Sequence, residues 1–491
     1  MVSGTVENSS TVDSNGRGSL VFVEPHCVDA DPSWSSTVAD VVQRLPASAP
    51  RFVACAPGVI NLMGGLAELG GGISLDVTVQ NVVCVAAQKR TDGRISIGCV
   101  DPANTNGSMP LVAACEELRN GRHFGNGLGK SAEKRPAQQS EVVDAAMSTL
   151  AELIRAGIMR DQEGVSLQIR SSSDDQGAVR WPSSTAASVS VAAAAAVGRS
   201  LDAAAGSALL ASFAKYPGCE PSSGPALRTC AFLADAQTVC CADATTGALE
   251  AKVKLPKDIT VSGADCGVAP MNLAKKLEQA RAATFIGRIL TDRILRHVGL
   301  MDDSWDGRLA GVSVADYVEY VRDRIPTRLK GSEFLARFGP AEDGTTVIVP
   351  STLYKVRSRT EHHIYEEHRS RQFIQCLSSA VRPLPLNDLI DCGEAWYASH
   401  WSYGQRCGLG AIEADSLGNF LREEGVEQGI YGAKITGYGC GGLLAILHRD
   451  SEGAFQAIER ALDVYRARTG RNARLIRGSA PGALVRGAQP M

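Results

Sequence analysis

The fold prediction starts from one stretch between two strand-like segments, Ala56-Pro57-Gly58-Val59-Ile60-Asn61-Leu62-Met63-Gly64-Gly65-Leu66-Ala67-Glu68-Leu69-Gly70-Gly71-Gly72. Strand patterns precede it at Arg51–Cys55 and follow it at Val77–Ala87. Glycines at this density let backbone N–H groups approach a ligand closely. A flexible loop is the alternative that this stretch alone leaves open.

Two further segments carry small residues in places suited to ligand binding. Hydroxyls lead into a helix in Pro182-Ser183-Ser184-Thr185-Ala186-Ala187-Ser188. A helix N-terminus offers N–H donors and a positive dipole to a phosphate, although plain N-capping is the alternative. Glycines precede an apolar strand in Gly432-Ala433-Lys434-Ile435-Thr436-Gly437-Tyr438-Gly439-Cys440-Gly441-Gly442, where a simple turn is the alternative.

The composition is that of an ordinary globular protein and excludes several classes. The 491 residues are 44% hydrophobic and 21% charged, which excludes disorder, and a net charge of −3 leaves no basic field for nucleic acid. No apolar run reaches the ~18 residues of a membrane span, and residues 1–19 lack the apolar core of a secretory signal. The 14 cysteines form no Cys-x-x-Cys pair, which predicts free thiols, no metal site and a cytoplasmic location.

Helical and strand patterns alternate along the chain and predict a mixed α+β protein of two lobes. Residues 1–46, polar at their start, are predicted as a flexible N-terminal segment. Residues 47–258 form the predicted N-terminal lobe, with the glycine-rich stretch and the Ser183 helix. Residues 259–491, richer in helical periodicity, form the predicted C-terminal lobe.

The three segments, in this order, resemble the motifs of the GHMP small-molecule kinases, the family of galactokinase, homoserine kinase and mevalonate kinase. Within it the arabinokinase and galactokinase type is most similar, as further C-terminal segments indicate: Trp401-Ser402-Tyr403, Cys407-Gly408-Leu409-Gly410, Tyr465–Gly470 and Gly478-Ser479-Ala480-Pro481-Gly482. The resemblance covers residues 50–485. It implies a two-lobed kinase fold that encloses ATP, Mg²⁺ and a monosaccharide in one cleft, with phosphorylation at the anomeric hydroxyl.

The resemblance also implies roles for particular residues. The resemblance assigns three residues of the first motif to sugar binding: Glu68, Gly64 and Gly65. The resemblance assigns six residues of the other two segments to cofactor binding: Ser183, Ser184, Thr185, Gly439, Gly441 and Gly442. The family's magnesium positions fall on Ser184 and Ser190, and its catalytic Asp falls on Ser223, with a register that allows an offset of one or two residues.

Several departures from the family pattern concern the phosphates. Val59 stands where the family has Arg, Ser190 where it has a magnesium-binding Glu, and Ser223 where it has the catalytic Asp. The glycine-rich phosphate turn becomes residues 177–182, which end in Trp181 and Pro182, and proline has no N–H to donate.

Phosphoryl transfer depends on positioning and charge neutralisation, so these departures predict a kinase homologue whose catalysis is impaired. The alternative is a non-catalytic pseudokinase that senses a sugar or nucleotide or serves as a scaffold for a protein partner.

Two other patterns are weaker. Residues 125–131 suggest a Walker P-loop, but its first Gly would be Phe124 and no strand precedes it, so a loop is the better interpretation. His362, His363 and His368 lie among glutamates at the start of a predicted helix. A surface or cleft helix is favoured there over a metal cluster.

Overall fold

The computed structural model describes residues 34–100, 111–116, 137–172, 181–202, 206, 209, 224–300, 305–379 and 383–491. The elements up to residue 265 are α1 (Ser35–Gln43), β1 (Arg51–Met63), α2 (Ala67–Gly70), β2 (Ile73–Arg90), β3 (Arg94–Cys99), β4 (Leu111–Ala114), α3 (Ala137–Arg155), β5 (Gly164–Ser171), α4 (Pro182–Ala196), α5 (Pro225–Leu233), β6 (Thr238–Asp243), β7 (Leu249–Lys254) and β8 (Ile259–Asp265).

The later elements are mainly helices: α6 (Leu273–His297), α7 (Val314–Asp316), β9 (Leu329–Lys330), α8 (Gly331–Phe338), β10 (Leu353–Tyr354), α9 (Val356–Leu377), α10 (Leu386–Ser402), α11 (Ile412–Glu424), β11 (Ile430–Ile435), β12 (Leu443–Arg449), α12 (Glu452–Thr469), β13 (Arg474–Ile476), α13 (Ala483–Arg486) and β14 (Gln489–Pro490). No helix in the described part of the chain is long and apolar enough to cross a bilayer.

The first lobe is built on a mixed sheet covered by small-residue helices. In the described ranges its strands run in the order β14-β1-β2-β5-β3-β4, with β6 on β2 and β7 on β6, and only the β3–β5 pair is parallel. Helix α4 packs on β1, β2 and α3. Its alanines and serines allow this close approach, and nearly all of its residues are buried.

The second lobe has its own antiparallel sheet, in the order β11-β12-β8-β13. The core between this sheet and helices α11 and α12 includes Leu417, Leu444, Ile458 and Leu462. The sheet begins with β8 at Ile259. Two sheets with separate helical covers confirm the predicted two-lobed α+β fold.

A helical layer of the second lobe reaches the glycine-rich stretch of the first. Helices α6 and α9 pack together. A separate hydrophobic core beside them includes Tyr317, Phe334 and Ile364. Helix α9 also contacts α2, β1 and β2. The second lobe therefore lies directly against the segment that connects β1 to β2.

The structure corrects the extent of the predicted flexible N-terminal segment. Residues 1–33 lie outside the described residues, but residues 34–46 are packed. Trp34, Val41 and Leu45 are buried with Val53 of β1 and Val82 of β2 in one core. Helix α1 is held because its apolar side chains cover this part of the sheet.

The structure also corrects the prediction that the cysteines are free. Cys55 and Cys84 face each other as register partners across β1 and β2 and form a disulfide. The other described cysteines are free thiols, mostly buried. Two cysteines 29 residues apart carry no pairing signal, because the strand register that joins them is a tertiary property.

Candidate functional site

One cavity brings together the three segments that the sequence singled out. It has a volume of about 110 Å³ and lies among β1, the start of α4 and the turn after β11. Residues from all three segments line it: Val59, Asn61, Trp181, Pro182, Ser183, Ser184, Gly437 and Tyr438, together with Leu227, Thr436 and Leu443. Residues from all three motifs therefore lie around one cavity.

The hydroxyls at the start of α4 are largely engaged by the chain itself. Ser184 Oγ donates to the Pro57 carbonyl at 2.5 Å, and Thr185 Oγ1 donates to the Trp181 carbonyl at 3.1 Å. Both residues are fully buried. Ser184 lines the cavity, as does its neighbour Ser183, whereas Thr185 does not. The Ser184 bond fixes α4 against the first motif.

Trp181 fills the space between β1 and the start of α4. Its side chain is 5% exposed, and a Cβ on Gly58 would lie 2.9 Å from the indole Cε2, so the ring packs directly on the Gly58 backbone. Its Nε1 is buried and has no hydrogen-bond partner among the described residues. A packed aromatic ring therefore occupies the position that the resemblance gives to the end of the phosphate turn.

The half-buried Glu68 and the buried Tyr438 form a pair beside this cavity. Glu68, in the first turn of α2, accepts a hydrogen bond from the Tyr438 hydroxyl. Burial raises the pKa of Glu68 from 4.5 to about 7, although this hydrogen bond and the charge of Arg281 on α6 oppose the shift. Burial and the carboxylate of Glu68 also raise the pKa of Tyr438.

The pair lies next to the start of α5. A Cβ on Gly224 would be 3.2 Å from the Tyr438 hydroxyl oxygen and 3.9 Å from Glu68 Oε2. Ser223, to which the resemblance assigned the catalytic position, immediately precedes Gly224 and lies outside the described residues. Gly224, the residue before α5, therefore lies beside Tyr438 and a carboxylate of the first motif.

Replacing Glu68 by Gln is expected to stabilise the protein at high pH. A carboxyl whose pKa is raised by folding contributes stability below its unfolded pKa of about 4.5, and this is lost as pH rises through about 7. The shift corresponds to about 3 kcal/mol. Urea unfolding should show the stability of Glu68→Gln relative to wild type rising by this amount between pH 4.5 and pH 8. The exposed-site control Glu394→Gln should change by under about 0.5 kcal/mol, and an equally flat Glu68→Gln difference would contradict the burial argument.

The glycines of the first motif pack against the second lobe. The Gly64 N–H donates to Glu366 Oε1 at 3.2 Å, and the Ile73 N–H donates to Glu367 Oε2 at 2.9 Å. A Cβ on Gly65 would lie 2.1 Å from the Tyr403 hydroxyl oxygen and 2.5 Å from the Gly437 carbonyl oxygen. These glycines therefore serve contact between the lobes, and neither Gly64 nor Gly65 lines the cavity.

A network of buried charges lies behind these glycines. Glu366 accepts hydrogen bonds from Ser399 Oγ at 2.6 Å and from Arg369 Nη2 at 2.7 Å. Burial alone would raise the pKa of Glu366, but the charges of Arg369 and Lys434 outweigh it and hold that pKa well below its usual range. Burial lowers the pKa of Lys434 to about 8 against the attraction of Glu366.

A second carboxyl of the network lies on the first lobe. Asp76 of β2 is buried and accepts hydrogen bonds from Asn61 Nδ2 and Ser74 Oγ, both at 2.9 Å. Burial raises its pKa to about 7, and the charge of Lys434 opposes this shift. The Asn61 carbonyl in turn accepts a hydrogen bond from Thr436 Oγ1 at 2.8 Å. The network thus joins the two lobes next to the cavity.

The other residues with predicted roles lie away from the cavity. A Cβ on Gly439 would meet the Leu409 carbonyl, one on Gly441 would meet Pro270, and one on Gly442 would meet Cys266. These glycines pack the turn after β11 onto the second lobe. Ser190 is fully buried within α4, and its Oγ donates to the Ala186 carbonyl at 2.8 Å.

Two histidines of α9, His362 and His363, are core residues, whereas His368 is exposed. His362 Nδ1 is 2.9 Å from Ser402 Oγ, and His363 Nε2 is 2.9 Å from Thr284 Oγ1. Burial lowers the pKa of His363 to about 4. Within the described ranges no three His, Cys, Asp or Glu side chains are placed to hold a metal ion. The P-loop-like residues 125–131 lie outside those ranges.

Sequence reasoning singled out Trp181 and Glu68 but missed several of their neighbours. Asn61 and Tyr438 were quoted within motifs without a role. Asp76 and Lys434 did carry a signal, because each is a charged residue inside an otherwise apolar strand pattern. Glu366 carried no such signal, because many of the residues around it in α9 are also charged.

The comparisons with known proteins agree with this geometry. The chain is 25% identical to L-arabinokinase of Arabidopsis thaliana in an alignment of length 490 that covers 88% of this chain. It spans 46% of the length of that relative. No model of a known protein family matches it.

Solved kinases share the fold. Lactococcus lactis galactokinase, in a complex with galactose, superposes with a TM-score of 0.63 at 18% identity, over 93% of this chain and 99% of that one. Methanococcus jannaschii mevalonate kinase superposes with a TM-score of 0.50 at 10% identity, over 89% of this chain and 99% of that one. The chain has the fold of the GHMP small-molecule kinases, and the predicted resemblance to their arabinokinase- and galactokinase-like sugar kinases is confirmed.

Proposed function

We propose that this chain is a monosaccharide-binding homologue of the sugar 1-kinases whose phosphoryl transfer from ATP to the anomeric hydroxyl is weak or absent. The observation that carries the proposal is the buried indole of Trp181, which packs on Gly58 at the start of α4. A triphosphate cradle is built from backbone N–H groups around open space. In this proposal the ring of Trp181 takes up that space.

The described residues do not fit ATP–Mg²⁺ well. Val59 supplies no cation, and Ser190 is buried with its hydroxyl bonded inside α4. Pro182 removes one donor from the helix start. Because phosphoryl transfer is mostly positioning and neutralisation of the transferring group, the loss of these parts lowers both nucleotide affinity and rate.

The sugar side of the cleft supports retained binding. Glu68 and Tyr438 keep a hydrogen-bonded carboxyl and hydroxyl beside the cavity. The Arabidopsis thaliana relative bears the name L-arabinokinase, and the Lactococcus lactis galactokinase structure is a complex with galactose. In this proposal a pentose or hexose binds next to Tyr438.

A coupled ADP-release assay with L-arabinose, D-galactose and other monosaccharides, after calorimetric titration of each sugar, tests the proposal. We expect saturable binding of at least one sugar with turnover at least a hundredfold below the ~1–100 s⁻¹ of ordinary kinases. Turnover within that range would make the chain an active sugar kinase. Absence of binding to every sugar would leave only a scaffold role and contradict the proposal.

A further inference from the structure

A short apolar segment between α8 and β10 is exposed on one face and pairs with no strand in the described part of the chain. Along residues 345–349, Thr-Thr-Val-Ile-Val, exposed and buried side chains alternate. Thr346 and Ile348 are buried, whereas Val347 is 73% exposed and Val349 is 44% exposed. A burial period of two residues is that of a strand with one face in the core. The segment therefore has the pattern of a strand that lacks a neighbour.

The backbone of this segment has hydrogen-bonding groups to spare. The Val349 N–H donates to the Tyr354 hydroxyl at 2.8 Å, and the Val349 carbonyl accepts from the Thr352 N–H at 3.1 Å. The N–H and carbonyl groups of Val347, by contrast, have no partner among the described residues. An exposed strand with unpaired backbone groups is a template on which another chain can add a strand.

Leu353 of β10 widens the apolar surface. Its side chain is 55% exposed, and it is the register partner of Lys330 on β9. The Gly331 N–H donates to the Thr352 carbonyl at 2.9 Å, and a Cβ on Gly331 would lie 2.1 Å from the Val349 carbonyl oxygen. Residues 345–349 therefore lie directly beside the β9–β10 pair, and we call them together with Leu353 the open edge.

The charge around the open edge is positive. Three exposed cations flank it without an ion-pair partner among the described residues: Arg328, Lys330 and Lys355. Residues 324–355 carry five basic and three acidic residues. One of the acidic residues, Asp343, already accepts hydrogen bonds from the N–H groups of Thr345 at 3.0 Å and Thr346 at 2.7 Å. Charge complementarity therefore favours an acidic partner, whereas a second copy of this chain would bring like charges together.

We propose that the open edge binds an acidic, extended segment of a partner protein by strand addition. The partner strand pairs with the backbone of Val347, and its apolar side chains cover Val349 and Leu353. Its carboxylates lie beside Lys330 and Lys355. This interaction goes beyond the proposed sugar binding and does not depend on it, because no residue of the open edge lines the cavity.

Fluorescence anisotropy with labelled seven-residue peptides tests the proposal. The acidic peptide DEVTVED should bind wild type with a Kd below about 1 mM. The peptide KKVTVKK has the same apolar core with reversed charge and should bind about tenfold more weakly. The peptide DEVPVED keeps the charges but loses the central N–H, so it cannot pair fully and should also lose about tenfold.

Substitutions in the protein locate the binding. Val347→Asp places a carboxylate at the centre of the open edge and should weaken DEVTVED binding about tenfold. The matched control is Ile412→Asp, at a β-branched residue on α11 that is 76% exposed, and it should stay within about twofold of wild type. Lys330→Glu keeps the apolar surface and should weaken binding about threefold, which preserves the test if Val347→Asp proves unstable.

Several results would overturn the proposal. They are the absence of saturable DEVTVED binding, equal binding of all three peptides, and binding that neither Val347→Asp nor Lys330→Glu changes. A dimer in sedimentation experiments that Val347→Asp dissociates would assign the edge to a second copy instead. Binding to phosphatidylserine vesicles without binding of DEVTVED would assign it to a membrane. Sugar titration into Val347→Asp should match wild type, so failure here leaves the proposed function standing.

Discussion

The triple variant Arg180→Gly, Trp181→Gly, Pro182→Gly is expected to bind ATP–Mg²⁺ at least tenfold more tightly than wild type. Removing the indole vacates the space on Gly58, and replacing Pro182 restores an N–H at the start of α4. The same change removes a buried Trp, which costs about 3–5 kcal/mol of stability. Calorimetric titration with ATP–Mg²⁺ and urea unfolding measure the two effects.

The control for this variant is Trp401→Gly, because Trp401 is largely exposed and lies on α10. Its ATP affinity should equal that of wild type. A triple variant that remains folded and gains no affinity would show that Trp181 and Pro182 are not the obstacle. Catalysis would still require carboxylates near positions 190 and 223, so a gain in affinity without turnover is the expected pattern.

The second large effect is expected from Glu366→Gln, which should destabilise the protein by about 3–5 kcal/mol. Glu366 accepts hydrogen bonds from Gly64, Ser399 and Arg369, and its charge compensates the buried Lys434. Removing the carboxylate leaves two cations next to each other in the interior. Equilibrium unfolding in urea at pH 7 measures the loss.

The neighbouring variant Glu367→Gln is the matched control, because Glu367 pairs with the exposed Arg371 and should cost only about 1 kcal/mol. Adding Lys434→Met to Glu366→Gln should recover part of the loss, since it removes one uncompensated charge. A loss below 1 kcal/mol for Glu366→Gln would contradict the proposed compensation of the Lys434 charge by Glu366.

Much of the fold could be predicted because each motif reports local chemistry. The run of hydroxyl residues before an alanine-rich segment marks the start of α4. The glycines after β1 mark a place where another part of the molecule comes close to the backbone. The order of these segments indicated the two-lobed kinase fold. The packing of α1 was missed, because burial of Trp34 depends on Val53 and Val82, which are distant in sequence.

The site could be predicted only in part. The convergence of Ser183, Ser184 and the turn after β11 followed from the motif order. The partners of the glycines did not, because Gly64 meets Glu366 across 302 residues. The role of Trp181 as a packed ring on Gly58, with an unpartnered Nε1, likewise depends on tertiary geometry. A sequence shows that a Trp replaces a glycine, but not which space the ring fills.

In the function proposed above, the ring of Trp181 takes the place of the phosphates in this fold. Calorimetric titration of the unmodified chain with ATP–Mg²⁺, with and without L-arabinose or D-galactose, tests it most directly. We expect no saturable binding below millimolar ATP in either condition. A low-micromolar Kd for ATP–Mg²⁺ would contradict it and identify the chain as a nucleotide-binding sugar kinase.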